Sequence, residues 1–434
     1  MTTPILTALM MLGAMLIMMA LRLPIAAAMA IPGAIGFGLI AGIDPLLNAL
    51  KGTTVARLSV YELSIIPLFI LMGQLAVNSG LSQALFKAAA AWIGHLRGGL
   101  AMAAILASAV FGSICGSSVA TAATITQVAY PEMHRHGYPN RLSTATLAAG
   151  GTLGILIPPS VPLVIFAILA EQNIAKLYLA SMIPALLAVI GYLCVLQFSR
   201  QGGLPDQPRA TGAERRQAMR DVWPIALIFI VIFGGIYAGF FTPTEAAAVG
   251  LVLVALLGSA RKGLSRSAVK ASILATAETT AMIFMIFIGA DLMNAGLALT
   301  QMPMALAGWV TSLTISPMLV LIAILVLLLI LCAVMDELSM MILTIPILFP
   351  TIMGLDLWGL AAAEKAIWFG ILVLSVVQFG LIAPPVGLNV ILVNGLVKGV
   401  PIRETYAGVI PFIATDLARI VLLLFVPGLT LVLL

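Results

Sequence analysis

Hydrophobic residues run along this chain in long blocks, and polar residues interrupt them at matching places. Blocks near 4–20, 24–43 and 60–78 lead to an amphipathic arm near 81–96 and a pair of short apolar arms at 100–131. Longer blocks follow at 143–172 and 177–199. After a polar stretch from Arg200 to Asp221 the order repeats: 223–241, 244–260, 271–290, an arm near 291–310, a short-armed pair at 317–350, then 366–397 and 405–433. Roughly 17–25 apolar residues cross a bilayer core of about 30 Å. The pattern therefore predicts ten crossing helices and two helix hairpins. Each hairpin arm spans only about 18 Å as a helix, so the hairpins are predicted to dip into the membrane and return.

Two of the crossing segments are broken. Ile157-Pro158-Pro159-Ser160 follows the glycines of Gly150-Gly151-Thr152-Leu153-Gly154, and Ala383-Pro384-Pro385-Val386 follows Gln378-Phe379-Gly380. In lipid, a broken backbone is tolerated only where protein or a water-filled cavity satisfies the freed groups. Matching breaks in two halves point to a transporter's binding site. A single proline pair would read as a kink; two in matching positions do not.

The halves can be aligned by their punctuation. Pro24 and Pro243 each open an Ala-rich block, and Pro131 and Pro350 each close a hairpin, both pairs 219 positions apart. The proline pairs are 226 apart. Each half has an odd number of crossings, so the halves insert in opposite senses, an inverted-topology repeat. This gives residues 1–199 as the first repeat, with scaffold helices in 1–60, a linker at 200–221, and 222–434 as the second repeat, with scaffold helices at 223–260. The predicted fold class is an all-α polytopic membrane protein with two re-entrant hairpins and two broken helices.

Charge sets the orientation. With both termini outside, 16 of the 21 Lys and Arg residues fall on one side, five of them in the 200–221 linker. The positive-inside rule makes that side cytoplasmic and both termini periplasmic. Charged residues are 9% of the chain, hydrophobic residues 62%, and mean hydropathy is +1.18, which excludes a soluble domain. Residues 1–20 lack a basic leader and read as a retained span. Cys115, Cys194 and Cys332 give no disulfide framework and no metal spacing, and His95, His134 and His136 sit in polar loops. A lipid bilayer is the expected surrounding, no nucleic acid is expected as a partner, and no cofactor is expected.

The candidate chemistry lies at the hairpin tips and the breaks. The first tip reads Gly112-Ser113-Ile114-Cys115-Gly116-Ser117-Ser118, the second Met335-Asp336-Glu337-Leu338-Ser339. Small residues at the first tip would also serve helix packing, but their recurrence beside a broken partner favours a site. Two adjacent carboxylates in an apolar setting need a cation, protons or a polar cavity. Half-helices beginning at Ser117, and after Pro159 or Pro385, offer positive dipole ends and free N–H groups that attract a carboxylate. Ser118, Ser160 and Asn389 lie beside those starts. Half-helices ending near Gly154 and Gly380 offer carbonyls, hard ligands suited to Na⁺. Asp416 and Arg419, three apart on one helix, read as a neutralising structural pair; Glu278 and Asp291 read as helix-end or interface charges.

With these residues in view, the chain resembles the large membrane subunit of tripartite ATP-independent periplasmic (TRAP) transporters. The stretches that carry the resemblance are Gly116-Ser117-Ser118-Val119-Ala120, Pro131-Glu132-Met133 with Gly137-Tyr138, Ile157-Pro158-Pro159-Ser160, and Ala383-Pro384-Pro385-Val386-Gly387-Leu388-Asn389. The resemblance implies an elevator-type fold similar to divalent-anion/sodium symporters, in a bacterial inner membrane. It implies Na⁺-driven uptake of a small carboxylate, a periplasmic substrate-binding protein and a separate small four-helix membrane subunit. It also implies two Na⁺ sites: Ser113, Gly116 and Ser117 with Gly150, Gly151 and Gly154, and Asp336 and Ser339 with Gly380. Some members carry Asp where Thr121 stands, which leaves Thr121 open as a ligand. A standalone Na⁺-coupled carrier or exchanger of the same fold is the alternative. An intramembrane aspartyl protease using Asp291 and Asp336 lacks the motif such enzymes need, and the paired hairpins favour alternating access over a channel.

Overall fold

A computed structural model of the chain describes residues 3–198, 208–261, 263–302, 304–305, 308, 315–332 and 335–434. Among them every regular element is helical. The first half contains α1 (Thr3–Ala20), α2 (Ile25–Ala41), α3 (Ile43–Leu58), α4 (Ile65–Asn78), α5 (Leu81–Ile93), α6 (Gly99–Cys115), α7 (Ser118–Arg135), α8 (Asn140–Leu156), α9 (Val161–Leu169) and α10 (Ile174–Gln197). The second half contains α11 (Gly212–Tyr237), α12 (Pro243–Ala260), α13 (Arg266–Leu299), α14 (Pro317–Cys332), α15 (Glu337–Met353), α16 (Ala362–Gly380), α17 (Leu388–Leu396), α18 (Ile402–Phe425) and α19 (Gly428–Leu431).

Seven of these helices, counting the short 3-10 turn Tyr61–Ser64 with α4, are long and apolar enough to cross a membrane. The bent pair α8 and α9, 41° apart, makes an eighth. Ten crossings were expected. The two that fall short are α1 and α2, only 18 and 17 residues long, at the short end of the range that crosses a bilayer. The second broken span is counted through α16 alone, because the break between Gly380 and Leu388 is longer than the first. The α3 helix was not anticipated; it buries none of its residues.

The span expected at 271–290 and the arm expected from 291 are one helix as far as Leu299. The 34-residue α13 is about 51 Å long, well beyond a bilayer core. No Gly-Pro signal interrupts it, so the helix ladder continues. Positions 303, 306, 307, 309 and 310 of that arm, 333 and 334 of the second hairpin, and 200–207 of the linker lie outside the described residues.

Local sequence explains the helix ends that matter. Gly116 closes α6 in the left-handed region (φ +63°), and Ser117 follows as the extended N-cap of α7, its Oγ accepting from the Ala120 amide. The Pro158-Pro159 pair supplies no amide hydrogens, α8 stops at Leu156, and Ser160 caps α9. Asp336 caps α15. Thr211 with Glu214, and Thr242 with Glu245, form capping boxes that start α11 and α12.

The core centres on α8 and α16, both buried along nearly all their length. Small residues let neighbours approach: α8 carries Ala148, Ala149, Gly150, Gly151 and Gly154 on its way to the break, and α6, α7, α17 and α18 pack around it. On the other side, α13 packs on α2 and α4, and α12 on α4. Arg57 of α3 donates through Nε to Asp291 Oδ2 at 2.7 Å, bonds a second time through Nη2, and lies over the Phe287 ring. Asp291 is therefore an interface charge between α3 and α13.

Candidate functional site

A cavity of about 490 Å³ lies where both hairpin tips and both breaks converge. Its walls are Cys115, Gly116, Ser117, Val119, Ala120 and Ala123 from the first tip, and Asp336, Glu337 and Leu338 from the second. Val161 and Pro162 come from beyond the first break, and Leu388 from beyond the second. The opposite wall comes from the other side of the molecule: Ile70 and Gln74 of α4, and Thr279, Met282 and Ile283 of α13. Four helix starts, those of α7, α9, α15 and α17, therefore contribute residues to one space. Each brings a positive dipole end.

The first half of the site is built by close backbone approach. A Cβ on Gly112 would stand 2.7 Å from the Gly154 Cα, so α6 and α8 touch through bare backbone. The Val161 amide donates to the Gly116 carbonyl at 3.4 Å, which ties the tip to the start of α9. Thr121 donates its hydroxyl to the Ser117 carbonyl at 2.7 Å, and its Oγ1 lies against both Gly112 and Gly154. Gly116, Ser117, Gly154 and Pro159 are thus together, with Thr121 added to them. Gly150 and Gly151 face elsewhere, against Ser108 of α6 and Ala122 of α7. Ser113 turns its hydroxyl back to the Val110 carbonyl, and Ser160 donates to the Ile155 carbonyl at 2.5 Å.

In the second half, Ser339 donates its amide to Asp336 Oδ2 (3.1 Å) and its hydroxyl to Asp336 Oδ1 (2.5 Å). Gly380 comes up against Cys332 at the end of α14. Pro385 is exposed and its carbonyl accepts from the Tyr406 hydroxyl. Asn389 is fully buried; its Nδ2 donates to the Ala148 carbonyl at 3.3 Å, while its Oδ1 has no partner. Asn389 thus links α17 to α8, and its neighbour Leu388 is the one that lines the cavity.

Two features lay beyond the sequence reading. Glu337 reaches the other tip, where the buried Ser118 Oγ donates to both carboxylate oxygens at 3.1 Å. Ser118 and Glu337 are 219 positions apart, the offset that aligns Pro24 with Pro243. A buried polar network joins α8, α10, α16 and α18. The Tyr192 hydroxyl donates to Asp416 Oδ2 (2.6 Å), receives Gln378 Nε2 (3.2 Å) and meets Thr152 Oγ1 (3.3 Å). Arg419 Nη2 lies 3.0 Å from Asp416 Oδ1, and Nη1 donates to Gln378 Oε1 at 3.0 Å. Thr152 and Gln378 stand two residues before Gly154 and Gly380, and are 226 apart like the proline pairs. One tyrosine hydroxyl therefore touches both broken helices. The Asp416–Arg419 pairing follows from their spacing, but contacts from α8, α10 and α16 could not be read from one helix alone.

Broken helices gathered around one cavity, with this many apolar spans and only helices among the described elements, make this a multi-pass membrane transporter. The fold is similar to the crystal structure of the YdaH transporter of Alcanivorax borkumensis, with a TM-score of 0.60, 16% identity and 89% of each chain covered. The family described as "Tripartite ATP-independent periplasmic transporter, DctM component" matches residues 12–429. Among its relatives, the C4-dicarboxylate TRAP transporter large permease protein DctM of Pseudomonas aeruginosa is 35% identical, with 86% of each chain covered. The 2,3-diketo-L-gulonate TRAP transporter large permease protein YiaN of Escherichia coli is 28% identical, with 96% of each covered. The chain belongs to the DctM family of TRAP large permeases: it is a transporter subunit and not an enzyme.

Proposed function

We propose that the chain carries a small organic carboxylate into the cell together with Na⁺, through the cavity between the tips of α7 and α15. The observation that carries this reading is the convergence of four helix starts on one space, with no Lys, Arg or His among the described residues that line it. Helix starts bind a carboxylate without a buried cation. The hard oxygens beside them, the Ser117 carbonyl and the Thr121 hydroxyl on one side and Asp336 on the other, suit Na⁺. The relatives named above carry acids, a C4-dicarboxylate and 2,3-diketo-L-gulonate.

In this reading the halves are an inverted repeat. Ser118 and Glu337 are equivalent residues that meet at the tips, and Thr152 and Gln378 are equivalent residues that both reach Tyr192. The hairpins and broken helices move as one body against a scaffold that includes α1, α2, α11 and α12, which is an elevator motion. A periplasmic binding protein delivers the substrate, and a small membrane subunit completes the scaffold. The test is uptake in proteoliposomes holding all three components: it proceeds in Na⁺ buffer and stops in choline. Asp336→Ala raises the Na⁺ concentration for half-maximal uptake several-fold. Equal uptake in the two buffers would sink the reading.

The orientation follows from the basic residues, with the linker cytoplasmic and Leu434 periplasmic. A single cysteine placed at Ala210 is expected to resist an impermeant thiol reagent in intact cells and to react once the membrane is opened. Labelling of position 210 in intact cells reverses the assignment.

A further inference from the structure

We infer that the Tyr192 hydroxyl is a positioning group that couples the two Na⁺ sites to one another; this rests on the Na⁺-transport reading above. Tyr192, Thr152 and Gln378 are fully buried. With the charged pair of α18 they form a closed circuit. Arg419 Nη1 donates to Gln378 Oε1, Gln378 Nε2 donates to the Tyr192 hydroxyl, that hydroxyl donates to Asp416 Oδ2, and Asp416 Oδ1 faces Arg419 Nη2. A guanidinium can only donate. The Gln378 amide must therefore turn its oxygen to Arg419 and its nitrogen to Tyr192, which leaves the tyrosine hydrogen for Asp416. Thr152 joins the circuit from α8: its Oγ1 lies 3.3 Å from the Tyr192 hydroxyl and donates to the Ala149 carbonyl at 2.7 Å.

The circuit holds two helix ends from behind. Thr152 and Gln378 precede Gly154 and Gly380 by two positions, about 200° around a helix. Side chains that face Tyr192 therefore leave the glycines facing the hairpins: Gly154 lies against Gly112, Thr121 and the Ser117 carbonyl, and Gly380 against Cys332. Helix ends of this kind offer the free carbonyls that suit Na⁺. An ion that draws one end toward its hairpin tip pulls Thr152 or Gln378 with it. The single hydroxyl they share passes the displacement to the other end, because a close-packed interior transmits strain. The first ion thus prepares the second site, and Na⁺ binding is cooperative. The Tyr192 ring is itself packed edge-on against Phe412, with centroids 5.3 Å apart, so removing the hydroxyl leaves the ring in place.

The test is equilibrium binding of radiolabelled Na⁺ to the full chain in detergent. Wild-type protein is expected to give a Hill coefficient of at least about 1.5. Tyr192→Phe is expected to lower it to about 1 and to raise the half-saturating Na⁺ concentration at least about threefold, with the number of ions bound unchanged. Thr152→Val cuts the α8 link alone. It is expected to act in the same direction, to add nothing when combined with Tyr192→Phe, and to decide the matter if Tyr192→Phe does not fold. Tyr178→Phe is the control. Tyr178 is equally buried on the same helix, but its hydroxyl has no hydrogen-bond partner among the described residues, so its loss is expected to leave Na⁺ binding unchanged. A merely structural role would lower thermal stability and leave the shape of the binding curve alone. Curves of wild-type shape in folded Tyr192→Phe and Thr152→Val proteins overturn the inference and leave Na⁺ transport standing, as does a wild-type Hill coefficient of about 1. If the wild type binds no Na⁺, the transport reading falls and the inference falls with it.

Discussion

Replacing Arg419 with leucine is expected to destabilise the protein by about 3–5 kcal/mol, the range for removing one member of a buried ion pair. Asp416 is 1% exposed and Arg419 5%, so solvent does not screen the loss. Without the guanidinium, Asp416 retains the Tyr192 hydroxyl as donor, and Gln378 loses a donor to its Oε1. The double variant Arg419→Leu with Asp416→Leu removes both charges and is expected to recover most of the stability, because a buried pair is often replaceable by apolar residues. Thermal denaturation of the detergent-solubilised protein reads both effects. A double variant as unstable as the single one would mean that the pair matters through its geometry and not its charge balance.

The second large effect concerns Gly151. A Cβ there would lie 2.4 Å from the Ala122 Cβ and 2.9 Å from its Cα, so α7 and α8 must separate to admit one methyl group. Gly151→Ala is expected to cost about 1–3 kcal/mol, the usual penalty of overpacking. The shift propagates to the Ser117 and Gly154 contacts, so uptake per folded molecule falls as well. Gly13→Ala is the control: nothing lies within 4 Å of its added Cβ. In the middle of α1 it should stabilise by up to about 1 kcal/mol. Uptake normalised to folded protein separates the two. Unchanged normalised uptake in Gly151→Ala would mean that the α7–α8 contact does not position the site.

Much of the first tip was legible in sequence because its parts are local. Gly116 and Ser117 announce a helix end and a helix start within two residues, and the proline pair fixes where α8 must stop. What the sequence could not convey is which side chains of the two halves meet. Asp336 and Glu337 read as one acidic pair, yet they do different things: Asp336 turns to its own helix, and Glu337 reaches the opposite tip. Register on a helix decides this, and adjacent positions differ by about 100°. Asn389 and Gly150 failed to reach the cavity wall for the same reason, since lying near a break does not fix the direction of a residue. Tyr192 was missed because it sits in an unbroken apolar helix, where nothing marks it as polar until α18 and α16 are placed beside it. The continuity of α13 was missed because a change in amphipathic character does not interrupt helical hydrogen bonding.

The most direct test of the cavity as the transport route uses Ala120→Cys, in a background whose three native cysteines are replaced. Ala120 lines the cavity on the first tip, one turn from the start of α7. Reaction with a small charged thiol reagent is expected to abolish Na⁺-driven uptake in proteoliposomes containing all three components, and Na⁺ together with substrate is expected to slow that reaction. Full modification of Ala120→Cys with uptake unchanged would contradict the account.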